Sequence, residues 1–153
     1  MPTSARNRLR FPFRGLVANT FLMDWEKVVE QVDILVFLGA HVEAGKLLRT
    51  LPPCVLLRDE VLMLRLAVCR GLGEWELGVA LTQQLTPRDP FPLRLAAGQF
   101  ASACAEWEWE TGNIAGASAL LARLRILWPE GTEQINKLQE KFQRDPRWEG
   151  KSG

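Results

Sequence analysis

The sequence of 153 residues holds a single histidine, His41, and only three cysteines, and both shortages narrow the chemistry open to it. A zinc site draws on several His and Cys ligands at short spacing, yet Cys54, Cys69 and Cys104 stand apart, form no C-x-x-C pair, and have no partner ligand near His41. Neither a metal site nor a disulfide framework is expected. Three thiols among aliphatic neighbours read instead as reduced and buried, which points to a cytoplasmic or other reducing compartment. Long apolar runs are missing as well. The longest, "ILVFLGA" and "VLMLRLAV", fall far short of the roughly 20 residues that span a bilayer, so no membrane span is expected. Acidic residues are absent before Asp24, whereas Arg6, Arg8, Arg10 and Arg14 all precede it. Setting those four aside leaves 15 basic residues against 18 acidic ones, so a chain of net charge +1 divides into a basic arm and a mildly acidic body.

Residues 1–23 are expected to form that basic N-terminal arm, either a solvated end or a targeting segment. Its arginines interrupt the apolar stretch and no small-residue cleavage site follows, so a secretory signal is not expected. The acidic body shows no basic helix face, which argues against nucleic acid as a partner except through a salt-sensitive contact of the arm.

What the chain does have is helical periodicity. Trp25, Val28, Val29, Val32, Leu35 and Val36 recur at steps of three and four, as do Val61, Leu62, Leu64, Leu66 and Val68 more loosely, and no strand alternation competes. Gly39, Pro52, Pro53, Gly71, Gly73, Pro87, Pro90, Pro92, Gly112, Pro129 and Gly131 punctuate about seven expected helices, and an all-α fold is the reading. With 47% hydrophobic residues, a chain this long can bury a core of its own.

The glycines carry a further pattern. "GAHVEAGKLLRTLPP", "GEWELGVALTQQLTPRDP" and "GNIAGASALLARLRILWP" begin at Gly39, Gly73 and Gly112. In each a small residue stands five positions on (Ala44, Gly78, Ala117) and a leucine twelve on (Leu51, Leu85, Leu124). Pro90 and Pro129 stand seventeen on in the second and third copies, while the first ends early at Pro52 and Pro53. The copies start 34 and 39 residues apart, and the extra residues of the third would lengthen its first helix or the "RDPFP" linker. Glycine permits a tight turn, the small residue lets one helix lie close on another, and proline stops the second helix. Such hairpins must stack to bury their apolar faces.

These residues resemble the tetratricopeptide repeat over roughly Trp25 to Pro129. The resemblance implies a short α-solenoid of about three hairpins over residues 24–143, closed by a capping helix, "TEQINKLQEKFQ", with Thr132 as N-cap and Ile135, Leu138 and Phe142 facing inward. Residues 144–153 are expected to be a loose tail, except where Trp148 packs back. It also implies that the first helices line a concave groove. Carried over position by position, the groove falls to Glu26, Val29, Asp33 and Phe37, then Glu60, Met63, Ala67 and Arg70, then Gln99, Ser102, Glu106 and Trp109. That mixed acidic and apolar surface suits an apolar peptide with a basic flank. Val29 and Asp33 occupy the places where repeats that grip a chaperone's C-terminal carboxylate carry Lys and Asn, so no carboxylate clamp is expected.

No catalytic residue is assigned. Glu106 and Glu110 share a helix face beside Trp109 and could serve as an acid and base, but no loop supplies a nucleophile, oxyanion donors or a phosphate cradle, and the reading preferred is solvated glutamates with Trp107 packed between hairpins. Most of the six tryptophans are expected between helices, with one or two as contact anchors. The function expected is therefore a non-enzymatic protein-interaction module, without cofactor, that binds a peptide or helix of another protein. The alternatives are a chaperone like those of bacterial type III secretion, whose last repeat Phe91 to Leu124 loosely resembles, and nucleic-acid association through the arm. A homodimer is compatible with exposed terminal hairpins.

Overall fold

The structure is a computed structural model and describes residues 18–148. Arg6 to Arg14 and the last five residues of the expected tail lie outside them. Eight α-helices and a 3-10 turn are formed among the described residues, with no strand. The helices are α1 (Ala18–Phe37), α2 (His41–Leu48), α3 (Pro53–Leu56), α4 (Asp59–Leu72), α5 (Trp75–Gln83), α6 (Phe91–Glu110), α7 (Ile114–Leu127) and α8 (Thr132–Gln143), the 3-10 turn Pro129–Gly131 preceding the last. Helix α1 begins inside the segment expected as an arm. No helix of the described residues is long and apolar enough to cross a membrane.

The three repeated glycines all stand at the left-handed end of a helix, with φ of 80° at Gly39, 70° at Gly73 and 93° at Gly112. Each turn closes with the same pair of bonds. The glycine N–H donates to a carbonyl three residues back, and the next N–H donates five back: Ala40 to Leu35 at 2.8 Å, Glu74 to Cys69 at 2.9 Å, Asn113 to Glu108 at 2.8 Å. This pairing satisfies carbonyls that the helix end leaves without partners, and it requires a backbone conformation that a Cβ disfavours. The prolines act differently from the expectation. Pro53 is the first residue of α3 and Pro90 caps α6, while α2 and α5 have already ended at Leu48 and Gln83. With its φ preset and its N–H not needed in a first turn, proline starts the next helix here rather than stopping the previous one. The longer third copy is explained by α6, which has 20 residues against 14 in α4.

The chain divides into two compact units, 1–74 and 75–153, and the division falls inside the expected 24–143 domain, directly after the Gly73 turn. In the first unit α1 packs on α2 and α4, and α2 packs on α4. Trp25 and Val32, two helical turns apart, reach a core with Ala44, Leu48, Leu51, Val55, Val61 and Val68, and Val28, Val29, Leu35 and Val36 pack partly buried around it. Over Trp25 lies the Arg58 guanidinium, 4.6 Å from the ring centre and bonded through Nε and Nη2 to Glu60 Oε2. The cation thus gains a ring face and a carboxylate together.

In the second unit α6 is central, packing on α5, α7 and α8. Gly78 of α5 lies against the Phe100 ring so closely that there is no room for a Cβ, which is how the small residue of the second copy is used. Ala117 is likewise enclosed. Ile135 and Phe142 of α8 are fully buried, with Leu138 packed beside them. Phe142 stacks on Trp109 with centroids 4.2 Å apart and planes 5° from parallel. Beyond α8 the chain folds back: Trp148 tilts against Trp109 at 5.7 Å, Trp109 Nε1 donates to Asp145 Oδ2 at 3.1 Å, and Arg147 stacks on the same indole while bonding Asp145. Thr132 is not the N-cap of α8. It is the first helical residue, and its hydroxyl donates to the Pro129 carbonyl, because the 3-10 turn supplies the cap. Arg94, 9% exposed, forks onto Glu130 at 2.6 and 2.8 Å and also donates to Asp89 O. The pairing lowers the Glu130 carboxyl below its ordinary range, chiefly through the Arg94 hydrogen bond.

Two glycine substitutions separate backbone strain from crowding. Gly112→Ala meets no neighbouring atom but keeps a left-handed φ, and should lose about 1–2 kcal/mol in urea unfolding. Gly78→Ala has an ordinary helical backbone and should lose about 1–3 kcal/mol by pushing on Phe100. Acid unfolding tests the α8 return. The Arg147 guanidinium beside Asp145, with the Arg147 N–H and the Trp109 indole, holds its carboxyl well below the usual carboxylate range. A depressed folded value means the stabilisation is complete above about pH 4, the unfolded value, and is lost as pH falls through the folded one. Asp145→Asn should therefore lower stability at pH 7 and flatten the decline below pH 4, read as Tm against pH.

Candidate functional site

The residues expected to line a groove fall into both units. In the first, Glu26, Asp33 and Arg70 are exposed, and Glu60 is engaged with Arg58 at 2.8 Å. Val29 is part of the rim of the core, and Met63 and Ala67 are half-buried. Phe37 is 88% exposed and belongs to an apolar patch with Ile34, Leu38 and Val42 around the Gly39 turn. In the second unit the expectation needs correcting. Gln99, Ser102, Glu106 and Trp109 share one face of α6, and α8 packs there. Trp109 is only 4% exposed beneath Phe142, and Glu106 pairs with Lys141 of α8 at 2.9 Å. Trp109 is therefore a core residue and not a contact anchor. The expected capping helix and the expected groove compete for one surface, and spacing alone gives no sign of which face a later helix will cover.

On its opposite face α6 packs against α5 and α7, which bury Phe100 and Cys104 and leave Trp107 partly exposed. Cys104, Trp107 and Glu108 on this side of α6, between α5 and α7, help to form a cleft of about 630 Å³. Trp75 and Trp107 stack at its side, centroids 5.6 Å apart and planes 26° from parallel, and Trp75 also leans on Phe100 at 5.7 Å. Trp107 is 39% exposed, so it is not packed away between hairpins as expected. Val79 and Ala80 of α5 and Ala119 and Leu120 of α7 complete the apolar walls.

The polar groups of the cleft are each held by a specific local cause. Asn113 precedes α7 and caps it, its Oδ1 accepting from the Gly116 N–H at 3.0 Å, and its Nδ2 donates to Glu108 Oε2. The carboxylate rests over Gly116, where a Cβ would run into it, and the first turn of α7 presents the positive end of its dipole to it. Glu108 Oε1 has no hydrogen-bond partner among the described residues. At the other end, Arg123 of α7 spends its Nη2 on the carbonyls of Thr82 and Leu85, at 3.2 and 2.9 Å, closing the C-terminal end of α5. Glu76 stands exposed on the rim.

Cys104 lies on the cleft wall but is buried, and burial pushes its thiol up to about 11, with the Glu108 charge adding to the shift. Burial likewise pushes Cys69 up to about 11, with Glu74 contributing. Cys54 is half-buried, less enclosed than expected. A neutral, enclosed thiol is a poor nucleophile. Among the described residues no group of three or more His, Cys, Asp or Glu is placed to hold a metal ion. His41 packs its ring over Gly71.

The sequence signal for this cleft was present but inconspicuous: a Trp-Glu pair at Trp75–Glu76 opening α5, and another at Trp107–Glu108 near the end of α6. Arg123 carries no such signal, because an arginine inside a helix looks the same whether it is solvated or capping another helix. No protein-family model, curated protein or solved structure matches the chain.

Thiol labelling checks the geometry. Iodoacetamide at pH 8 should modify Cys54 before Cys69 or Cys104, and Cys104 modification should accelerate only as pH rises toward 11, as read by peptide mass spectrometry.

Proposed function

We propose that the chain is a non-enzymatic protein-interaction module of tetratricopeptide-like helical hairpins that holds a peptide or helix of another protein. The observation that carries this reading is the stacked Trp75–Trp107 pair, left partly open at the side of a cleft large enough for several side chains. Rigid aromatic anchors in a concave apolar site, edged by a few fixed polar groups, are what protein contacts use for affinity and orientation. The polar groups present, an N-cap amide with its carboxylate and a guanidinium committed to carbonyls, are suited to shape and orient a site rather than to activate a nucleophile. The identical glycine turns and buried small residues support the hairpin reading. Contact is assigned to the α5–α7 cleft instead of the α6 face beneath α8.

Site-specific photo-crosslinking tests the assignment. Benzoylphenylalanine at Ala119, exposed on the cleft wall, should yield a discrete adduct with a protein of source-cell lysate, and the same probe at Gln134, exposed on α8, should not. Adducts at both positions, or at neither, would remove the cleft as the contact surface.

A further inference from the structure

We infer that the cleft takes an arginine side chain of an otherwise apolar partner segment, the guanidinium lying on the Trp107 indole and bonded to the Glu108 carboxylate; this rests on the interaction-module reading above. The chain supplies its own precedent. Arg58 lies over Trp25 while bonded to Glu60, and Arg147 lies 5.3 Å from the Trp109 ring centre while bonded to Asp145. Twice, then, a tryptophan beside a carboxylate is filled by an arginine. In the cleft the same two groups are present. Among the described residues none stacks on Trp75 or Trp107, and none forms an ion pair with Glu76 or Glu108.

Charge favours the same occupant. The cleft carries two carboxylates, Glu76 and Glu108, against one guanidinium, and Arg123 is turned onto the carbonyls of Thr82 and Leu85. Glu108 is not free to swing away. Asn113 and the first turn of α7 hold Oε2, and Oε1 is left as an acceptor. A planar guanidinium can lie on an indole and still offer N–H groups in its own plane to a carboxylate, whereas an ammonium is a point charge that stacks less well and gives up more hydration. The rest of the lining, Val79, Ala80, Ala119 and Leu120, asks for apolar side chains on either side of the arginine.

Selection from a phage-displayed library of random 12-residue peptides on the immobilised full chain tests this without knowledge of the natural partner. Enriched peptides should carry one arginine between apolar residues. A synthetic peptide of the enriched sequence should bind about tenfold more weakly to Trp107→Ala and to Glu108→Gln, each shown by circular dichroism to be as helical as the parent. It should also lose several-fold in affinity when its arginine becomes lysine. Peptides that are lost with Trp107→Ala but carry no arginine, or that bind equally well with lysine, would overturn the arginine site and leave the interaction module standing. Failure to enrich any peptide, or binding unaffected by either variant, would overturn both.

Discussion

Three glycine residues held at positive φ end the three helices on which the hairpin pattern depends. At Gly39, Gly73 and Gly112 the helix must end in a left-handed residue so that two N–H groups can turn back onto carbonyls that would otherwise face nothing. Because each turn uses the same two bonds, the chain leaves α1, α4 and α6 in the same local way. Each turn leads into a helix whose small residue, Ala44, Gly78 or Ala117, stands five positions after the glycine, and all three small residues are buried. At Gly39 and Gly112 the turn and the small residue act as one device: the turn returns the chain, and Ala44 or Ala117 lets the next helix lie close on the one before it, whereas Gly78 is used against Phe100 of α6.

In the second unit one helix is divided between a covered face and the wall of a cleft. Helix α6 is flanked on three sides, by α5, α7 and α8, and its residues divide accordingly. Trp109 is committed inward, stacked on Phe142, bonded to Asp145 and covered by Arg147 and Trp148. Two residues earlier, Trp107 emerges on the other side beside Trp75. A shift of two positions on a helix is a rotation of about 200°, enough to take one indole to the core and its neighbour to the cleft. The glutamates between and around them divide in the same way: Glu106 pairs with Lys141 of α8, and Glu108 is fastened to Asn113 in the cleft.

The recurring use of arginine against tryptophan and carboxylate gives the molecule a consistent chemistry. Where the arginine comes from the chain itself, the arrangement pins a loop or a helix start, as Arg58 does before α4 and Arg147 after α8. At Trp107 and Glu108 no cation of the described residues completes the arrangement, and the arginine proposed for a partner would do so. The ring and the carboxylate are each braced from within the unit: Trp75, itself packed on Phe100, supports Trp107, and Asn113 bonds Glu108.

Helical class, the three turns and their glycines, and the inward stripe of α8 were all legible in the sequence. They depend on residues near one another along the chain, where period, φ preference and spacing act directly. The direction in which a proline acts was not, since Pro90 is equally compatible with ending one helix and starting another until the length of α5 is known. Nor was which tryptophan of α6 stays partly exposed. Glu106, Trp107, Glu108 and Trp109 have the same composition whichever way the helix is turned, and only the packing of α8, which begins at Thr132, decides that Trp109 is covered while Trp107 is not. The sequence by itself determined what each helix could bury; the tertiary structure decided which face it did bury, because that choice is made by the neighbour that arrives and not by the helix that waits.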